Sequence, residues 1–416
     1  MRKLTVKNFS VIKEAELEFG KITVLIGPQS SGKSLLCKLA FFLGQLVPEI
    51  ANGLLLLSMS STDLKHAVAN EFIERFPKEA WGVGSFEISF QSKVLCVTVR
   101  RDSPSSVLSV DFDVAFLERY REWAELHGAE VSASNRIRSL RTGSSAVHGP
   151  IVFDESVYIP TGRSFFSTPN RGFASFSGKN LDWVTQRFAA DIDWEYKSLM
   201  DFAGPSSEVF PQFLEDASGI VGGKVVREGG VLLFRSSLDG RKLPFQLLSS
   251  GTLELLPLLN PLGRLVFNVS TSPLRVWTPP NAKLGPIFME EPELSVFPKT
   301  QYNLMRLLAW LSNEPQLDFS FVVTTHSPYI LSSFNNLIYA GQLGENEALR
   351  NEISIPERYW IKRGDFAAYA MHDGLLSSIL SESGLIDGEY LDGVSETIGN
   401  EFDKLLRLEY DQTEAS

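Results

Sequence analysis

Cysteine is nearly absent. Cys37 and Cys96 are the only two in 416 residues. They lack metal-ligand spacing and give no disulfide framework, so a reducing compartment is expected. Positive charge is in deficit, with 39 Lys and Arg against 50 Asp and Glu, a formal net charge of −11. That disfavours non-specific nucleic-acid binding over the whole surface and leaves only a local basic groove open. A clean membrane-length apolar run is missing too. Leu35 to Leu57 is apolar, but Lys38, Gln45, Pro48, Glu49 and Asn52 interrupt it, which predicts a buried helix. The opening MRKLTVKNFSVIKEAELEF lacks the continuous apolar core of a signal peptide, and no internal repeat is seen. A cytoplasmic protein is expected. What is present suits a globular chain: 44% apolar and 21% charged residues, long enough for two or three lobes.

KLTVKNF, AELEFG and ITVLIG read as three short strands, with a helix from Lys33 onward. Ser85–Arg101 reads as a strand pair turning at Gln91-Ser92-Lys93. The texture changes at Asp102. An amphipathic helix follows in VAFLERYREWAELHG, then a polar, basic stretch to Pro150, which predicts an insertion. IVFDESVYIPTGRS returns to strand, and LDWVTQRFAADIDWEYKSLMDF reads as helix. Gly223–Gly251 reads as a β-meander ending in a loop. LGPIFMEE and LDFSFVVTTHS are apolar strands flanking a helix, the ordinary way to build a parallel sheet. Near the end, Leu391, Val394, Ile398, Phe402 and Leu405 lie at spacings of three and four, one face of an acidic amphipathic helix.

Four clusters carry chemistry. In VLIGPQSSGKSLL, Gly27-x4-Gly32-Lys33-Ser34 fits the phosphate-binding loop pattern. Chance would produce it in about one chain of this length in fifty. Backbone N–H groups of Gly27, Pro28, Gln29, Ser30, Ser31 and Gly32, Pro28 excepted, can form an anion nest. The helix starting near Lys33 and Leu35 points its positive end there. Lys33 adds a full charge for β- and γ-phosphates, and the Ser34 hydroxyl suits Mg²⁺. IFMEEPEL is an apolar strand ending in acids, which places Glu290 to hold Mg²⁺ and Glu291 to orient or deprotonate water. LLSSG places Ser249, Ser250 and Gly251 before an apolar helix, a second anion site or an ordinary helix cap. VVTTHS puts His326 at another strand end, where it can donate to a terminal phosphate. A guanine-reading N/T-K-x-D motif is not found.

In this order the four clusters resemble ATPases of the ATP-binding-cassette (ABC) superfamily, in the branch of SMC proteins, RecF and OLD ATPases. LTVKNFSVIKEAELEFGKITVLIGPQSSGKS resembles that branch's N-terminal lobe and Walker A loop. LLSSG resembles its signature motif, IFMEEPE its Walker B strand with the catalytic Glu, and VVTTHSPYIL its switch-His segment. The tail RGDFAAYAMHDGLLSSIL is similar to bacterial defence ATPases of the branch. The resemblance implies an α/β P-loop NTPase, an ABC-type head with a mixed β N-terminal lobe, a mostly parallel core sheet and a helical insertion. It implies that ATP and Mg²⁺ are the cofactors, and that Ser249, Ser250 and Gly251 cap the γ-phosphate held by a second copy. It also implies Glu291 as the water-activating residue, Glu290 as the Walker B acid and His326 as the switch. Glu290 stands where Asp is commoner, Gln29 where Asn is usual, and about thirty-five residues separate Gly251 from the Walker B strand. No Q-loop glutamine is evident. Its place falls at Thr161–Arg163, and Arg163 is itself a candidate phosphate contact.

The expected organisation is a discontinuous core, 1–101 and 221–345, with an inserted strand/helical lobe at 102–220 and a C-terminal helical segment at 346–416. The segment 102–150 is too short for a long coiled-coil arm, and the tail lacks a TOPRIM acid set, so any nuclease or toxin is expected on a separate chain. The preferred function is an ATPase that pairs or oligomerises on ATP and regulates such an effector in anti-phage defence. The alternatives are a repair ATPase acting on DNA through Arg136, Arg138 and Arg141, or a nucleotide-gated scaffold with little turnover.

Overall fold

A computed structural model describes residues 2–56, 59–128, 155–167, 181–191, 209–266, 284–317, 319–388 and 390. The three N-terminal strands form as expected: β1 Lys3–Phe9, β2 Ile12–Glu18 and β3 Ile22–Ile26. Helix α1 (Lys33–Phe41) passes through a π-turn at Phe42–Leu46 into α2 (Val47–Leu56). This run is apolar and long enough to cross a membrane, yet two thirds of it is buried. Its side chains fill the core beneath the sheet.

α3 (Ser61–Arg75) starts at a capping box in which the Ser60 hydroxyl accepts from the Asp63 N–H. Strands β4 (Phe86–Gln91), β5 (Cys96–Arg101) and β6 (Ser109–Phe112) extend the antiparallel lobe, followed by α4 (Val114–Gly128). Then come β7 (Glu155–Ile159), α5 (Trp183–Asp191) and α6 (Val209–Val221). The expected meander is β8 (Gly223–Glu228), β9 (Val231–Ser236) and β10 (Lys242–Leu243), a separate three-stranded sheet that leads into α7 (Ser250–Val266). β11 (Leu284–Glu290), α8 (Pro298–Asn313), β12 (Ser320–Thr325) and α9 (Pro328–Leu343) build the core. A short helix α10 (Glu347–Arg350) precedes the hairpin β13 (Phe366–His372) and β14 (Leu375–Ser378).

Among the described residues the main sheet has eleven strands, in the order β6-β5-β4-β1-β2-β14-β13-β3-β12-β11-β7. β13, β3, β12, β11 and β7 run parallel, and β6, β5, β4, β1 and β2 are antiparallel. Both faces are covered. Ile22, Val24, Ile287, Met289, Phe321 and Val323 point to one core with Leu255, Leu308 and Leu337. Leu25, Phe288 and Val322 point to the other, with Phe41, Phe42 and Phe72. Two-faced burial explains why these strands read as continuous apolar runs. The result is an α/β fold with an antiparallel lobe beside a parallel core.

Two expected boundaries need correction. The segment 346–416 is not simply helical, because β13 and β14 enter the main sheet between β3 and β2. Nor is 102–220 a separate lobe throughout, since β7 pairs with β11 in the core and β6 with β5. The predicted terminal helix from Leu391, and Arg136, Arg138 and Arg141, lie outside the described residues.

Candidate functional site

β3 ends at Ile26, and the chain turns at Gly27, where φ is 154°. A Cβ there would stand 2.4 Å from the Met371 carbonyl oxygen on β13, so only glycine fits. Pro28, Gln29 and Ser30 are exposed, and Ser31, Gly32, Ser34 and Leu35 are half-buried. Lys33 is buried, and its Nζ donates to the carbonyls of Gly27 and Pro28, 2.8 Å each. Burial pulls this ammonium below its ordinary pKa, while the nearby Glu291 and Glu293 carboxylates push the other way. A buried cation at a helix start, facing carboxylates, is the electrostatic profile of a phosphate and metal site.

Parallel pairing of β3 with β12, and of β12 with β11, brings three loops to one sheet edge. Glu290 ends β11 and is 4% exposed. The Tyr158 hydroxyl donates to its Oε1 at 2.7 Å, and the Thr161 N–H to its Oε2 at 3.2 Å. Burial, and the Glu290 charge after it, push the Tyr158 phenol well up, so it stays a donor. Glu291 has a φ of 41°, a left-handed conformation rare for a side-chain-bearing residue. Its N–H donates to the Thr324 carbonyl at 2.9 Å, and its own carbonyl accepts from Arg163 at 2.9 Å. The strain, of order 1–3 kcal/mol, is held by these two bonds. His326 Nε2 lies 3.5 Å from Glu291 Oε1. Glu293 Oε1 accepts from the Thr325 hydroxyl at 2.8 Å and the His326 N–H at 2.6 Å, joining the ends of β11 and β12.

Ser249 caps α7, its hydroxyl accepting from the Thr252 N–H at 3.2 Å. Ser249 and Ser250 are exposed. Gly251 packs so closely that a Cβ would lie 2.6 Å from the Ser295 carbonyl oxygen, just past the acid cluster.

Arg163 does not fit the expected phosphate contact. It is 0% exposed, and its guanidinium is spent on backbone carbonyls: Nε to Glu254 at 3.2 Å, one terminal nitrogen to Pro160 at 3.2 Å and Glu290 at 2.7 Å, the other to Glu291. Glu254 Oε2 lies 3.5 Å from Nε. Four carbonyls and one carboxylate surround it, and burial lowers its pKa against the pull of Glu254 first among the nearby acids. Sequence reasoning also passed over Tyr158, Glu254 and Glu293. Only Glu293 left a signal, as the third acid of EEPE.

A family model described as "AAA domain, putative AbiEii toxin, Type IV TA system" matches residues 99–332, more than half of the chain. The chain belongs to this AAA-domain family. Its motif order resembles that of ABC-superfamily ATPases of the SMC-like branch. The matched span holds the signature, both candidate catalytic acids and His326, and begins after the phosphate loop. No curated protein matches the sequence. Similar solved structures include the SMC head domain from Thermotoga maritima, at 14% identity, covering 91% of this chain and 98% of that one, with a TM-score of 0.40. Another is an SMC head with an extended coiled coil bound to the C-terminal domain of ScpA derived from Pyrococcus furiosus, at 13% identity, 96% and 100% coverage and a TM-score of 0.40. A third is the ADP conformation of an ATP-binding cassette of an ABC transporter, at 14% identity, 92% and 93% coverage and a TM-score of 0.33.

The AAA-domain family implies a nucleotide, usually with Mg²⁺, and the donor set fits both. Among the described residues no three His, Cys, Asp or Glu cluster as a metal site. An octahedral Mg²⁺ shared between phosphate oxygens, water, one hydroxyl and one carboxylate needs none. Each Glu290 oxygen accepts one hydrogen bond and keeps lone-pair capacity for a cation or its water. In this AAA-domain protein Ser34 and Glu290 would be the residues to hold it.

Proposed function

We propose that the protein binds ATP with Mg²⁺, closes on it as a pair or larger ring of identical chains, and hydrolyses it to control a separate effector in anti-phage defence. One observation carries the chemistry: adjacent parallel strands β3, β12 and β11 end at Lys33's loop, His326 and Glu290-Glu291. Lys33 exchanges the carbonyls of Gly27 and Pro28 for β- and γ-phosphate oxygens. The loop from Gly27 to Ser34, with Leu35 behind it, cradles the phosphates, and Ser34 and Glu290 hold the metal. Bound Mg²⁺ supplies charge neutralisation on the phosphates. Glu291 takes a proton from water as the water oxygen bonds to the γ-phosphorus and the bond to ADP breaks. His326 donates to the γ-phosphate and reports its presence to Glu291.

The second copy is supported by exposure. Ser249 and Ser250 face solvent, and large apolar side chains flank the motifs: Leu247 is 68% exposed, Phe297 75% and Tyr329 55%. A neighbour's phosphate met by Ser249, Ser250 and Gly251 gives this face a purpose. The family's link to a toxin–antitoxin system supports control of, or by, a second protein. The cytoplasm is where such a chain works. The DNA-acting alternative rests on Arg136, Arg138 and Arg141, which lie outside the described residues.

Steady-state ATPase assay of Glu291→Gln tests the reading. Turnover falls by about 10²–10⁴-fold while Mg–ATP still binds; unchanged turnover removes Glu291 from the chemistry. Copurification with products of neighbouring genes, with and without ATP, tests the effector.

A further inference from the structure

Two contacts fasten the signature helix to the catalytic strand end. Gly251, in the first turn of α7, leaves no room for a Cβ against the Ser295 carbonyl. One turn further, Glu254 receives the Nε of Arg163 on its carbonyl at 3.2 Å, with its Oε2 3.5 Å away. Glu254 Oε2 is buried and makes no hydrogen bond among the described residues, and the Arg163 guanidinium lies beside it. The other side of that guanidinium grips the carbonyls of Glu290 and Glu291 at 2.7 and 2.9 Å. Arg163 therefore spans the backbone that aims the water-activating carboxylate and the helix that presents Ser249 and Ser250 to solvent. Glu291 sits in a left-handed conformation and its carbonyl is held by this bond, so Arg163 gives α7 a direct connection to the Glu291 backbone.

We infer that Arg163 is a positioning residue that couples the two nucleotide sites of the paired protein. When Ser249 and Ser250 of one chain meet the phosphate held by its partner, α7 seats. Arg163 then passes that seating to Glu291 of the same chain, which acts on its own nucleotide. Each site thus fires only when its chain is also covering the other. The inference rests on the ATP-binding, two-copy reading above.

Glu254→Gln and Arg163→Lys in the full chain test it. The measurements are Mg–ATP affinity, by titration with a fluorescent ATP analogue, and turnover against ATP concentration. Affinity stays within about twofold of wild type, kcat falls at least tenfold, and the Hill coefficient drops from above 1 toward 1. Glu254→Gln keeps the side chain's shape and the backbone acceptor, so it remains informative if Arg163→Lys does not fold. Unchanged turnover and Hill coefficient in Glu254→Gln overturn the coupling, as does a non-cooperative wild type. Affinity falling in step with turnover in Arg163→Lys also overturns it, returning Arg163 to phosphate binding. A wild type that takes up no Mg–ATP is a different failure, that of the ATP reading itself.

Discussion

The phosphate loop and the signature segment are both helix N-termini with glycine and serine, yet the molecule treats them in opposite ways. The loop is finished from within. Lys33 is buried, its ammonium satisfied by Gly27 and Pro28, and Met371 backs the turn. The signature is finished only at its base, where Gly251 and Glu254 lock into the acid-bearing loops, while Ser249 and Ser250 stay in solvent. On the proposed reading, the difference separates a site that grips its ligand from a surface that a second copy completes.

Substitutions at the two ends break this comparison differently. The largest effect belongs to Lys33→Ala, which removes the only side-chain cation in the loop. Mg–ATP affinity falls at least about 100-fold, equal to about 2.7 kcal/mol, in a nucleotide titration. Ser250→Arg leaves that affinity within a few-fold but lowers turnover about 100-fold, the scale of losing an oxyanion contact, and abolishes ATP-dependent growth in mass by light scattering. If Ser250→Arg weakens nucleotide binding as Lys33→Ala does, the two segments serve one pocket and the contrast fails. Tyr158→Phe is milder. It removes one bond to a buried carboxylate, about 1.5–3 kcal/mol by denaturant unfolding, and shifts the Mg²⁺ requirement with little change in ATP affinity.

The smallest effect appears at high pH. Tyr120 donates to the Met59 carbonyl, and burial pushes its phenol up to about 12 from about 10. Unfolded chains lose this proton near pH 10, whereas the folded protein keeps it to about 12. The folded state therefore binds more protons in that window, and stability falls as pH rises through it. Tyr120→Phe flattens the decline in a thermal-melt series from pH 9 to 11.

The loop Gly27–Ser34 was legible because strand, glycines and lysine all occur within one short stretch. The sheet-edge positions of Glu290, Glu291 and His326 were legible because each ends or directly follows an apolar strand. β13 was not. Phe366, Ala368 and Ala370 face one core, while Tyr369 and Met371 face the other, so the alternation of polar and apolar residues that marks a strand is missing. Arg163 was misread for a different reason. A cation near a phosphate loop looks like a ligand until its acceptors are known, and three of its four carbonyls come from residues 91 to 128 positions away.

The position of β13 has a consequence in time. The strand that launches the phosphate loop, β3, lies between β12 and β13, and Ile22 pairs with Phe366. A ribosome adding about 5–20 residues per second needs roughly 20 to 70 s to travel between those two residues. For most of that interval β3 lacks both of its flanking strands, and until β13 is made it still lacks one, so the nascent phosphate loop has no finished seat before then.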